Sequence, residues 1–116
     1  MQPQDTITIA PPVLLTIARL ATLDVEGVAR MGSTPGGFNR WLRRTPSASG
    51  VHIQAQDNSL QIDLYIVLHP NANMREVGRQ VQHNVARSIN DLVGMEAEAV
   101  NVHIEDVEYL DDRRSG

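Results

Sequence analysis

The chain has 116 residues, 41% of them hydrophobic, which suits one compact domain that buries roughly two-thirds of its unfolded surface and leaves little for a second. Cysteine is absent, which excludes disulfides, thiolate zinc sites and cysteine nucleophiles and fits a reducing compartment. Ten basic residues, all arginine, against fourteen acidic ones give a formal charge of -4, so a general polyanion-binding surface is disfavoured while a local basic patch is not.

The amino-terminal MQPQDTITIAPP has no basic stretch leading into a long apolar run, and no window reaches the ~18 apolar residues of a spanning helix. In TITI, Ile7 and Ile9 alternate with Thr6 and Thr8, a β-branched pattern that predicts a short strand ended by Pro11 and Pro12. A helix is expected next, since proline is tolerated in a first turn. Its two adjoining apolar rows are Val13, Ile17, Leu20 and Leu14, Ala18, Ala21, both assigned to the interior. Val25, Val28 and Met31 predict a second strand, bent or bulged at Gly27.

Residues 32–50 are rich in glycine, proline and serine and read as a loop holding about two helical turns. The following GVHIQAQDNSLQIDLYIVLH predicts a hairpin turning at Asp57 and Asn58, because those residues tolerate left-handed backbone. That turn sets Ala55 against Leu60, Ile53 against Ile62 and Val51 against Leu64. Alternation then places Val51, Ile53, Ala55, Leu60, Ile62, Leu64 and Ile66 on a core face, and His52, Gln54, Gln56, Gln61, Asp63 and Tyr65 on a wet one. Asn73 followed by Glu76 predicts a capping box for a long helix with Met74, Val77, Val81, Val85, Ile89 and Leu92 buried, closed at Gly94. A last strand from Ala99 to about Leu110 turns Val100, Val102 and Ile104 inward, with a bulge between Ile104 and Val107. The expected fold is α+β, a two-layer sandwich with a mixed sheet, two main amphipathic helices on one face and a short helix in the 32–50 loop.

Chemistry is sparse. His52 and His103 fall on the wet face with Asp63 opposite His52, but the four histidines match no zinc spacing, and no metal or cofactor is expected. The serines lack a nucleophile elbow, and Gly36-Gly37 does not follow a buried strand as a phosphate loop would. The acidic residues from Glu96 to Asp112 read as a solvated strand edge rather than a catalytic pair. No catalytic residue is assigned. The most pointed local feature is FNRWLRR, where Phe38, Trp41 and Leu42 line one side of a short helix and Arg40, Arg43 and Arg44 project elsewhere. Buried aromatics under a helical lid are its ordinary fate, and an exposed aromatic-basic patch is its functional one.

The order of motifs resembles the alkaline shock protein family, the bacterial envelope stress response proteins. ITIAPPVLLTIARLATLDVEGVARM is similar to the family's opening strand, helix and Gly-Val turn, and GVHIQAQDNSLQIDLYIVLHP to its central hairpin. NMREVGRQVQHNVARSINDLVGM resembles its long helix, with Val81, Gln82 and Val85 as the Val-Gln-x-x-Val core, and VNVHIEDV its terminal strand. The resemblance implies a cytoplasmic, non-catalytic scaffold that self-associates into oligomers and docks to a membrane-embedded partner near the membrane, with no span of its own. The interaction residues expected are Phe38, Arg40, Trp41, Arg43, Arg44, His52, Gln54, Asp63, Tyr65 and His103. The alternative is a single-stranded nucleic-acid-binding module using residues 38–44, weakened because Tyr65 is the wet face's one aromatic and has no basic neighbour in the alternation.

Overall fold

The computed structural model describes residues 6–33, 47–48 and 50–108. Helix α1 spans Pro11–Leu23, β1 Val28–Met31, β2 Ser47–Ala48, β3 Val51–Gln56, β4 Ser59–Leu68, α2 Met74–Val93 and β5 Glu96–Val107. The protein is therefore α+β, and the sheet is mixed. The short helix expected within 32–50 falls outside the described residues, whereas β2, which the loop reading did not anticipate, pairs Ser47 with His52 and Ala48 with Val51.

Everything is arranged about β4. Its first half pairs antiparallel with β3 in the register Val51↔Leu64, Ile53↔Ile62 and Ala55↔Leu60, as the Asp57-Asn58 turn predicts, and Asp57 takes a φ of 55° there. Its second half pairs antiparallel with β1 along the same edge, Val28 opposite Leu68 and Met31 opposite Ile66. The two partners meet at Tyr65, whose N–H donates to Gly50 O at 2.8 Å and whose carbonyl accepts from Gly32 N at 2.6 Å. The other edge of β4 is covered along its whole length by β5, which runs parallel to it after the α2 crossover. The predicted bulge is present: Ile66 faces Ile104 but Val67 faces Asp106, so Glu105 is the extra residue.

The core lies on one face of this sheet. Val51, Ile53, Leu60, Ile62, Leu64, Ile66 and Leu68 are buried with Ala18 and Ala21 of α1 and Val77, Val81, Val85 and Ile89 of α2. Val100, Val102 and Ile104 of β5 pack against that cluster while staying half-buried. Ala55 keeps its register opposite the fully buried Leu60 yet is itself exposed, on the outer strand of the hairpin near its tip.

The long helix is specified at both ends. Asn73 accepts from Glu76 N at 2.9 Å, and Gly94, with a φ of 79°, donates its N–H to Ile89 O and Asn90 O. Its stripe is shorter than the periodicity suggests: Met74 and Leu92 lie in the terminal turns and are 49% and 70% exposed. In α1 only the inner row is core. Ala18 and Ala21 are buried beside Thr22, whose hydroxyl donates to Ala18 O at 2.7 Å, and Asn84 of α2 donates to Ala21 O at 2.8 Å. Small side chains allow that close approach, and the outer row is thereby turned away, leaving Val13 and Leu20 exposed and Ile17 half-buried.

One expected strand is missing. Residues 6–10 carry no regular structure, and Ile7 is 92% exposed. Residues 6–9 therefore have strand chemistry without a strand partner among the described residues.

The bend at Gly27 is a structural requirement. Its φ is +106°, and a Cβ there would stand 2.6 Å from Val77 Cγ2, while its carbonyl accepts from His69 N at 2.9 Å. Gly27→Ala combines an unfavourable backbone region with a clash against a buried helix side chain, and should cost about 1–3 kcal/mol in chemical unfolding. Gly78→Ala, where a Cβ meets nothing within 4 Å, is the control and should be neutral or stabilising.

Candidate functional site: the polar face and the outer edge of the sheet

The face of the sheet opposite the core gathers around Asp63. Alternation in β4 sends Gln61, Asp63 and Tyr65 to that side, and the hairpin register brings His52 directly opposite Asp63. The parallel register with β5 then adds Asn101 beside Asp63 and His103 beside Tyr65. Asp63 Oδ1 accepts from Asn101 Nδ2 at 3.2 Å and lies 3.0 Å from His103 Nε2, while Oδ2 is 3.8 Å from His52 Nδ1. The Tyr65 and His103 rings stack across the strands with centroids 4.5 Å apart and planes 12° from parallel. Glu105, pushed out by the bulge, accepts from Ser33 N at 3.0 Å.

His52, Asp63, Tyr65 and His103 are thus brought together, while Gln54 is not: it is exposed and faces Gln61 further along the hairpin. Phe38, Arg40, Trp41, Arg43 and Arg44 lie outside the described residues. His52 differs from the wet-face reading, being only 2% exposed. Burial pushes its imidazole below the ordinary 6.5, partly opposed by the Asp63 charge and hydrogen bonding, so the ring is held neutral. Tyr65 moves upward from the usual phenol value, first through burial and then through Asp63 and Glu105, which keeps it protonated. Its basic neighbour on this face is the stacked His103, which the alternation along a single strand did not show. Asn101 and Glu105 were not among the expected site residues; the alternation of VNVHIED places both on the same side as His103 and was the available signal.

Asp63 acts as a cross-strand acceptor that binds the middle strand to β5. Its oxygens face two imidazoles and an amide, which suits positioning, and no serine or threonine is among its contacts. Among the described residues no group of three or more histidine, aspartate or glutamate side chains is placed to hold a metal ion.

The outer side of β5 is the second feature. Among the described strands β5 pairs with β4 alone. Because Tyr65 directs its backbone groups to Gly50 and Gly32, its parallel partner His103 must direct its own toward β4, as do Asn101 and the other residues in phase with it. Val100, Val102 and Ile104 consequently turn their N–H and C=O groups outward. One of these, Val100 O, accepts from Gln82 Nε2 at 3.1 Å. Edge charges flank the stretch: Glu96 and Glu98 on one side, Glu105, Asp106 and Glu108 on the other, with Glu108 Oε1 2.9 Å from Arg30 Nε.

The chain belongs to the alkaline shock protein 23 family, described as having a cell envelope-related function, and residues 1–109 match its pattern. It is 27% identical over 104 residues to the uncharacterized protein YqhY of Bacillus subtilis, spanning 89% of this chain and 77% of YqhY. It is 30% identical over 104 residues to the uncharacterized protein Spy1535 of Streptococcus pyogenes, spanning 87% of this chain and 78% of Spy1535. Among solved structures it is similar to the MamM CTD, with a TM-score of 0.54 at 12% identity over 85% of this chain and 100% of that one. Copper, nickel and cadmium forms of MamM CTD variants are similar too. At this identity the likeness shows the fold alone, and the metals belong to those proteins. Among the described residues no helix is long and apolar enough to cross a membrane.

The pH response of stability reads out His52. Its folded value is lowered, so protonation favours the unfolded chain: the stabilisation is fully present above about 6.5 and is lost as pH falls from there toward the lowered folded value. Thermal melts of the wild type should decline through that window. His52→Phe, which keeps an aromatic ring and removes the titrating nitrogens, should show a shallower decline.

Proposed function

We propose that the protein is a non-catalytic scaffold of the envelope-related type, a single alkaline shock protein domain that self-associates through the outer edge of β5. The observation that carries this reading is the outward row of backbone groups at Val100, Val102 and Ile104, beside apolar side chains that the chain's own core leaves half-buried. A strand laid there would satisfy the backbone and complete the apolar layer in one step, with no new chemistry. The Asp63 cluster supports the assembly indirectly, by fixing β5 to β4 in a single register.

Location at the cytoplasmic face of the envelope, with a membrane-embedded partner, is the part of this reading supported by the resemblance of the motifs and by the family's cell envelope-related description. The polar face, with His103 and Tyr65 at its centre, is the surface left for such a partner once the β5 edge is occupied. The nucleic-acid alternative rests on residues 38–44 and on no feature of the described face, where Asp63 and Glu105 stand beside Tyr65.

Sedimentation over micromolar to millimolar concentrations should show reversible growth beyond the monomer. Val102→Pro removes an outward N–H that β4 does not use, a position where an edge strand tolerates proline, and should weaken association about tenfold or more with the circular dichroism spectrum retained. A wild-type chain that stays monomeric throughout would overturn the reading.

A further inference from the structure

Residues 6–9 and the outer edge of β5 are complementary, and we propose that they join between molecules: the Thr-Ile-Thr-Ile segment of one copy forms the next strand on β5 of another. This rests on the self-association proposed above and names both of its surfaces. Four consecutive β-branched residues are among the strongest strand formers, yet among the described residues they have no strand partner, and Ile7 is 92% exposed. A segment whose local preference and observed state disagree is resolved if its partner lies on another molecule.

The faces match. Laid beside β5, the segment can place Ile7 and Ile9 on the core side, over the half-buried Val100, Val102 and Ile104, and Thr6 and Thr8 on the polar side next to Asn101, His103 and Glu105. Gln82 already holds the Val100 carbonyl, so the pairing centres on the outward groups of Val102 and Ile104, a length that four residues, about 13 Å of strand, can cover.

The donor is not the same chain's own segment. Residue 10 runs directly into α1, which packs against β1, β3 and α2, whereas α2 is the helix that packs on β5. From α1, over β1 and β3, to the far side of β5 the chain would cross about three strand spacings, roughly 14 Å, and descend one layer of roughly 10 Å. Four residues reach at most about 14 Å, and residues used to span that gap cannot also pair.

Nor does β5 pair best with itself. An antiparallel β5–β5 contact centred on Val102 would set Glu98 against Asp106 and Glu96 against Glu108, like charges directly opposed at both ends. The segment at 6–9 carries no charge at all. Donor and acceptor surfaces differ, so the contact propagates as an open chain of molecules unless two copies exchange segments and close.

The absence of cysteine makes the test direct. Chains carrying Thr8→Cys are mixed with differently sized chains carrying Asn101→Cys, His103→Cys or Glu105→Cys, and oxidised with glutathione disulfide under conditions where the wild type is oligomeric. At least one mixture should give a mixed disulfide, and unlabelled wild-type chain should compete it away. In parallel, Ile7→Lys, at a solvent-exposed position that leaves the fold intact, should raise the dissociation constant in sedimentation about tenfold or more without altering the melting temperature of the monomer. Oligomers that persist in Ile7→Lys, with no mixed disulfide at any of the three positions, would overturn this pairing and leave edge-mediated self-association standing. A wild type that is monomeric at every concentration would overturn both.

Discussion

The structure depends on a central strand that is used on both edges and both faces. Ser59–Leu68 is hydrogen-bonded to β3 and β1 on one side and to β5 on the other, so its period-two alternation is imposed on every neighbour. Leu60, Ile62, Leu64, Ile66 and Leu68 are each fully buried on one face, and a slip of one residue would drive that whole row into water. The same constraint generates the opposite face. Once Ile62 and Leu64 are inside, Asp63 has to be outside, and its carboxylate then finds whatever the adjoining strands present at that level.

Those neighbours are presented at different sequence distances, which explains how much could be read in advance. The hairpin is local: Asp57 and Asn58 set the register, and His52 opposite Asp63 follows from counting. The crossover helix is local too, because Asn73 and Gly94 mark its ends through their own side-chain and backbone chemistry. His103 reaches Asp63 only because β5 returns parallel and in register after a twenty-residue helix, and no short-range rule fixes that register. The stacking of Tyr65 on His103 was illegible for the same reason. His52 presents a related problem, since whether a polar-face residue is buried depends on what covers it, and neither alternation nor composition carries that information.

The helical rows show the other limit of periodicity. Val13, Ile17 and Leu20 repeat as regularly as Leu14, Ala18 and Ala21, and spacing alone ranks them equally. Packing separates them. Ala18 and Ala21 let α1 approach α2 closely enough for Asn84 to bond the Ala21 carbonyl, and that contact selects the small-residue row as the inner one. Residues 6–9 failed as a strand for a comparable reason, in that a strand is a relation between two segments and among the described residues none is paired with them. A family described by a cell envelope-related function is consistent with surfaces of this kind, where the informative features are open edges.

The junction at Tyr65 has a further meaning for how this chain tolerates change. Gly32 and Gly50 bind the two polar atoms of a single residue, and Gly50, with a φ of +77°, has Met31 and the Tyr65 carbonyl too near for any side chain. The excursion between them starts and ends beside one residue of β4, and its last part, Ser47–Ala48, pairs with β3. The ends of that excursion are pinned by the scaffold, and the entropy of closing it grows only with the logarithm of its length. The fixed points of the sheet at this place are thus the two glycines, and a change of length between them adds only a small closure cost.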